Sequence, residues 1–201
     1  MSSPKTLSAS QSQNLIKYLL TQITTRVDKT KPVRNYLIAL LMLDAGTRVG
    51  ETLLLTISDL WLNNEPKHSL KISEFISKNK YARIIPLSQR IQLAIKLAAD
   101  YLWQDHDFEI NAFAFSGRKP TRPISARQVE NIIGKTGEKV LGYWIHPHML
   151  RHTFGTNLMR TSSVRVAQDL LGHKNLSSTQ VYQHPNEDDK RKAIDSISQN
   201  H

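Results

Sequence analysis

The sequence predicts a mainly α-helical domain that carries a small antiparallel β-hairpin, an α+β fold. Most apolar residues recur at helical spacing behind residues that favour helix starts. One segment in the first half instead alternates apolar and polar residues around a polar turn. With 201 residues, the chain is long enough to bury a proper core, and we expect a single domain.

The first helices are predicted from capping residues. Ser8-Ala9-Ser10-Gln11 fits a capping box, and apolar residues follow at helical spacing, namely Leu15, Ile16, Leu19 and Leu20. Pro32 begins a second, largely buried helix that Gly46 ends. Thr47 is placed to cap the next helix, with Arg48 in its first turn.

Between residues 57 and 87 the pattern indicates a β-hairpin. Leu70, Ile72 and Ile76 precede the polar turn Ser77-Lys78-Asn79-Lys80, and Ile84, Ile85 and Leu87 follow it. Lys78 and Lys80 therefore lie at the tip of the hairpin, where a side chain is either solvated or able to reach into a groove.

After the hairpin, the sequence pattern predicts further helices. Ser88 and Ser125 each cap one, Pro147 begins another, and a helix from about Ser163 ends at Gly172. In that last helix we expect four residues to point inward, Val164, Val166, Leu170 and Leu171. Beyond it, Ser177 or Ser178 opens a short helix bearing Tyr182, and Asn186 caps a terminal helix.

A basic, proline-bearing loop separates two of these helices. Phe113-Ala114-Phe115 forms a short apolar insert before it, and the loop itself runs from Gly117 to Pro123. Arg118, Lys119 and Arg122 are expected to stay exposed there and to contact backbone phosphates.

Composition restricts the partners. Lysine plus arginine exceed aspartate plus glutamate by 27 to 17, which gives a formal charge of +10. Such a chain favours a polyanion, above all double-stranded DNA. The absence of cysteine excludes disulfides and cysteine-ligated zinc, and the apolar run from Tyr36 to Leu43 is too short to span a bilayer. We therefore expect a cytoplasmic protein without a membrane partner.

The stretch from Ile145 to His152 carries the clearest chemical signal. If Pro147 opens a helix, His148 and Arg151 lie on one face of its first turn, where the helix dipole disfavours cations. A bound anion removes this conflict, because backbone N–H groups and an arginine fork both bind phosphate. A metal site is disfavoured because Met149 stands where a zinc protease needs glutamate.

Taken together, several motifs resemble those of the tyrosine recombinases, the lambda-integrase family. Ala45-Gly46-Thr47-Arg48-Val49-Gly50-Glu51 is similar to the first arginine motif, and Ser77 to Leu87 resembles the lysine hairpin of Xer-type members. His148-Met149-Leu150-Arg151-His152 is similar to the His-x-x-Arg box. Leu170-Leu171-Gly172-His173, with Tyr182 nine residues after His173, resembles the closing motif.

The resemblance implies a set of roles. Tyr182 would be the nucleophile, Arg48 and Arg151 would neutralise the reacting phosphate, and Lys78 would be the general acid. His148 would relay a proton, His173 would donate to a non-bridging oxygen, and Glu51 would orient its neighbours. Lys80 would contact DNA, and neither a metal nor another cofactor is expected.

The resemblance also implies an organisation. It covers essentially the whole chain and suggests a catalytic domain alone, with a core at about 7–184 and no N-terminal domain, as in the compact fimbrial-switch recombinases. The tail at about 186–200 would pass between protomers of a dimer or tetramer on DNA, with accessory DNA-bending proteins as further partners. A type IB topoisomerase and a DNA-binding regulator that no longer cuts remain as alternatives.

Overall fold

The computed structural model describes residues 6–77, 82–104, 111–116 and 122–172. Predictions about the hairpin tip, the loop at 117–121 and everything after Gly172 fall outside these ranges. They include both helices predicted after residue 172 and the exchange of the terminal tail.

The described residues form eight helices and four short strands, so the predicted α+β class is confirmed. In chain order these elements are α1 (Ala9–Thr25), α2 (Thr30–Asp44), α3 (Val49–Leu53), α4 (Ile57–Leu60), β1 (Trp61–Leu62), β2 (Glu65–Pro66), β3 (Ser69–Ile72), β4 (Arg83–Pro86), α5 (Gln89–Tyr101), α6 (Ala126–Leu141), α7 (Pro147–Thr161) and α8 (Val164–Leu171).

Helix α2 is the centre of the core. Every residue from Tyr36 to Leu43 is buried, which means that this helix is covered on all sides and not only along one stripe. It packs against α1, α5 and α7. Helix α7 carries the His-x-x-Arg box, so its packing against α2 fixes the position of that box relative to the core.

The predicted caps are present. Ser8 Oγ accepts from the Gln11 N–H at 3.2 Å and Gln11 Oε1 accepts from the Ser8 N–H at 2.9 Å, a reciprocal capping box. Ser88 and Ser125 cap α5 and α6 in the same position. Pro147 is the first residue of α7, as predicted.

The predicted hairpin is confirmed in its strands. β3 and β4 pair antiparallel, with Leu70 opposite Ile85 and Ile72 opposite Arg83. Ile84 is exposed, because in a strand only alternate residues face the core. A second, two-residue ribbon, β1 with β2, was not predicted. Its turn holds Asn63 and Asn64 at φ 52° and 62°, a conformation that asparagine tolerates.

Two local predictions were wrong. Arg48, not Thr47, is the N-cap of α3, and its backbone N–H donates to the Glu51 carboxylate at the third helical position. Thr47 is buried, and its hydroxyl contacts that of Thr52 at 2.7 Å. In α8, Val166 is exposed and Ala167 is buried, so Ala167 takes the inward position predicted for Val166, while Leu171 is buried as predicted.

Within the described part of the chain, no helix is both long and apolar enough to cross a membrane.

Gly46 allows α2 and α7 to approach closely. Its φ is +62°, and a Cβ at this position would lie 2.2 Å from Cδ1 of Phe154 on α7. Its carbonyl oxygen also accepts a hydrogen bond from Nη1 of Arg151. A glycine is therefore required both for the backbone conformation and for the space.

We expect Gly46→Ala to destabilise the protein, as measured by denaturant unfolding. The left-handed backbone should cost about 1–2 kcal/mol, and the overlap with Phe154 roughly 1–3 kcal/mol more. Gly142→Ala is the matched control, because Gly142 has φ +80° and a Cβ added there would meet no atom within 4 Å. Equal losses in the two variants would show that Phe154 does not restrict the site.

Candidate active site

A cleft of about 430 Å³ opens between α3 and the start of α7. It is lined by residues of the first arginine motif, of the hairpin and of the His-x-x-Arg box, namely Thr47, Arg48, Val49, Gly50, Glu51, Leu54, Ile76, Pro147, His148 and Arg151. Three of the predicted catalytic residues, Arg48, His148 and Arg151, therefore converge on one cleft, although Arg48 is about a hundred residues before the other two in the sequence.

Arg48 projects from the N-terminus of α3. Its side chain is 22% exposed, and its Nη1 donates to Glu51 Oε1 at 2.7 Å. Its backbone N–H donates to Glu51 Oε2 at 2.8 Å. Glu51 thus holds both ends of the same residue, which fixes the direction in which the guanidinium leaves the helix.

Glu51 is buried and surrounded by donors. Besides Arg48 it accepts two hydrogen bonds from Arg83, Nη1 to Oε1 at 3.0 Å and Nη2 to Oε2 at 2.7 Å. Burial by itself raises the pKa of this carboxyl, but the hydrogen bonds and charge of Arg83, with those of Arg48, outweigh burial and hold the pKa below its ordinary value. Glu51 is therefore ionised at neutral pH.

Arg151 lies at the floor of the cleft and is only 2% exposed. It donates from Nη1 to the carbonyl oxygen of Gly46 and from Nη2 to that of Leu171 at 2.6 Å. These contacts join the end of α2, the start of α7 and the end of α8. The guanidinium is accordingly fixed by the backbone of two other elements.

His148, in the first turn of α7, lies beside both arginines. Burial lowers its pKa, and the positive charges of Arg151 and Arg48 lower it further. The imidazole is therefore neutral at neutral pH and able to accept a proton. Its ring meets that of His152 edge to face, with centroids 4.2 Å apart.

The remaining histidine of this stretch points elsewhere. His146 Nδ1 contacts Glu130 Oε1 on α6 at the surface. Among the residues that the structure describes, no group of three histidine or acidic residues is placed to hold a metal ion.

The other predicted site residues are not all brought to the cleft. Arg122 is exposed and does not line it. The rest lie outside the described residues, namely Lys78, Lys80, Arg118, Lys119, His173 and Tyr182.

Sequence reasoning missed Arg83. Its side chain has no exposed surface and binds Glu51, and its Nε donates to the carbonyl oxygen of Leu170 at 3.0 Å. The signal was present in the strand pattern, because Arg83 has the same parity as the buried Ile85. An arginine on the buried face of a strand requires a buried carboxylate, and Glu51 was available.

Comparison with known proteins agrees with these motifs. Residues 5–189 match the phage integrase family. Tyrosine recombinase XerA of Pyrococcus furiosus is 36% identical over 180 residues, which cover 89% of this chain and 58% of that protein. Tyrosine recombinase XerC of Bacillus pumilus is 34% identical over 180 residues, 86% of this chain and 57% of the relative. The chain thus spans somewhat over half the length of these relatives.

Solved structures share the fold. A crystal structure of XerA recombinase superposes with a TM-score of 0.76 at 26% identity and covers 98% of this chain and 66% of its own. XerH recombinase, in a post-cleavage complex with its palindromic difH substrate, gives a TM-score of 0.75 at 19% identity, over 95% of this chain and 52% of its own.

The position of His148 between two arginines leads to a titration experiment. By NMR of the free protein, we expect His148 to titrate below the ordinary histidine pKa of about 6.5. Arg48→Gln removes one positive charge and should raise this pKa. Arg90→Gln, which removes a charge paired with Asp44, is the control and should leave the His148 pKa unchanged. A pKa that ignores Arg48 would contradict the electrostatic account.

Proposed function

Since this chain belongs to the phage integrase family, we propose that it is a site-specific DNA recombinase that cuts and rejoins DNA through a 3′-phosphotyrosyl intermediate. The observation that carries the proposal is the convergence of Arg48, His148 and Arg151 on one cleft. Two guanidiniums and a neutral imidazole around a concave surface suit a phosphodiester in which negative charge develops.

In the proposed reaction, the phenol oxygen of Tyr182 attacks the scissile phosphorus. A bond forms between that oxygen and phosphorus while the bond from phosphorus to the 5′ oxygen breaks, and the 5′-hydroxyl leaves. The new ester stores the energy of the original one, so that attack by a 5′-hydroxyl restores the DNA backbone without a nucleotide cofactor.

The protons have defined positions in this scheme. His148, which is neutral at neutral pH, accepts the phenolic proton. Lys78 gives a proton to the leaving 5′ oxygen, and His173 donates a hydrogen bond to a non-bridging oxygen. Arg48 and Arg151 stabilise the extra charge on the phosphorane. This electrostatic role is the one that metal ions take in other nucleases.

The proposal extends to partners and organisation. Double-stranded DNA is the substrate, contacted also by Lys80, Arg118, Lys119 and Arg122. The chain acts in the cytoplasm as a single catalytic domain that assembles as a dimer or tetramer on DNA, with the tail at 186–200 exchanged between protomers. The formal charge of +10 supports the choice of a polyanionic substrate.

Two assays separate this function from its alternatives. A covalent adduct on nicked suicide DNA, formed in the presence of EDTA, is expected of a tyrosine recombinase and not of a DNA-binding regulator. Exchange of strands between two DNA sites is expected of a recombinase and not of a type IB topoisomerase. Absence of any adduct, or an adduct that appears only when Mg²⁺ is restored, would overturn the proposal.

Tyr182→Phe should abolish the covalent adduct while leaving DNA affinity nearly unchanged. The phenolic oxygen is the reacting atom and contributes little to binding, which phosphate contacts dominate. The measurements are gel detection of the adduct and a binding titration. Tyr143→Phe is a matched control, because its hydroxyl contacts Gln11 at 3.1 Å and does not line the cleft. An adduct retained in Tyr182→Phe would identify a different nucleophile.

Lys78→Ala should slow cleavage by roughly 10²–10⁴-fold, the usual range for general acid catalysis. Replacing the bridging 5′ oxygen by sulfur creates a leaving group that needs no proton, so the defect should largely disappear on that substrate. Lys80→Ala is the control and should cost far less on either substrate. A Lys78→Ala defect that persists with the sulfur substrate would limit Lys78 to holding DNA.

A further inference from the structure

Arg83 is buried as deeply as Arg151, but unlike Arg151 it does not line the cleft. All three of its nitrogens have partners, with Nη1 and Nη2 on Glu51 and Nε on the carbonyl oxygen of Leu170. Its side chain has no exposed surface, and it does not line the cleft. It therefore cannot touch a substrate there, and any effect on the reaction passes through its partners.

Arg83 is connected to Arg48, which lines the cleft, through the carboxylate of Glu51. Glu51 Oε1 accepts from both Arg83 Nη1 and Arg48 Nη1, at 3.0 and 2.7 Å. Glu51 Oε2 accepts from Arg83 Nη2 and from the backbone N–H of Arg48, at 2.7 and 2.8 Å. Each oxygen of the carboxylate is thus shared between the two residues, and Arg83 fixes the plane in which Arg48 must bind.

The second arginine also changes the charge that Arg48 presents. An Arg48–Glu51 pair alone would be neutral, and the carboxylate would compete with an incoming phosphate for the same guanidinium. With Arg83 also bound to Glu51, the three groups together carry one net positive charge. The carboxylate is then balanced from within the protein, which leaves the charge of Arg48 directed to the cleft.

We propose that Arg83 is a positioning residue for DNA cleavage, which orients Arg48 through the shared Glu51 carboxylate and keeps its positive charge available to the scissile phosphate. The inference rests on the proposed function. It assigns no contact with DNA to Arg83.

The first test measures cleavage of suicide DNA at saturating protein beside DNA affinity. Arg83→Gln should slow cleavage by roughly 10²-fold, the effect of a small misplacement of a reacting group, while affinity changes by less than about threefold because Arg83 does not reach the cleft. Arg90→Gln is the matched control. It breaks another two-pronged arginine–carboxylate pair, with Asp44 at 2.8 and 2.6 Å, and should cleave like the parent protein.

The second test separates positioning of Arg48 from general support of the fold. In a methylphosphonate linkage, one charged non-bridging oxygen is replaced by a methyl group, so the substrate needs less positive charge from arginine. The defects of Arg83→Gln and Arg48→Gln should both shrink at least about tenfold on this DNA, since each removes the same electrostatic stabilisation. A defect of Arg83→Gln that is equal on both substrates would overturn the proposal.

Arg83→Lys keeps the inference testable if Arg83→Gln folds poorly. Lysine retains the charge but cannot place two parallel donors on the carboxylate. We expect a folded protein with an intermediate loss of cleavage that also shrinks on methylphosphonate DNA. Cleavage at the parent rate by Arg83→Lys would show that the two-pronged contact is not required. If the parent protein itself forms no adduct, the proposed function fails, and this outcome is distinct from every result above.

Discussion

The constraint on which the site depends is the burial of one carboxylate. Glu51 is 1% exposed, and an ionised group so placed is stable only if cations and hydrogen bonds replace the water it has lost. Arg83 and Arg48 supply both. Removing one partner of such a buried pair costs about 3–5 kcal/mol, so a change at any one of these residues also affects the other two. The loop before α3, the strand β4 and the arginine that enters the cleft are thereby held in one arrangement.

A second set of contacts joins helix ends to the same site. The last carbonyl groups of a helix have no partner within the helix and carry its partial negative charge. In α8, Leu170 O accepts from Arg83 and Leu171 O from Arg151, and Gly172 ends the helix at φ +63°. Two buried guanidiniums thus cap one helix from two different elements. The C-terminal end of α8 is therefore held beside the cleft.

Local signals in the sequence predicted much of the fold, because they act over a few residues. Ser8, Ser88 and Ser125 cap their helices, and Pro147 begins α7, since each needs only its neighbours to do so. Contacts between residues far apart in the sequence were harder to predict. In the sequence, Arg83 is typical of a polar residue in a hairpin. Its burial can be inferred only if its alternation with Ile85 in β4 and the Glu51 carboxylate are considered together. The N-cap of α3 is Arg48 and not Thr47, because the Thr47 hydroxyl is buried against that of Thr52.

The convergence at the cleft explains why an imidazole can stand in the first turn of α7. Arg48 and Arg151 already place positive charge there, and a protonated His148 would add a third cation next to a helix N-terminus. Burial and the two arginines lower the pKa of His148, so the ring remains neutral and keeps its capacity to accept a proton. The carboxylate beside Arg48 is shared with Arg83, and a single negative charge divided between two guanidiniums cannot neutralise both. The cleft therefore keeps a positive charge that attracts an anion. The same positive charge keeps His148 neutral, so that it can act as a base beside the anion.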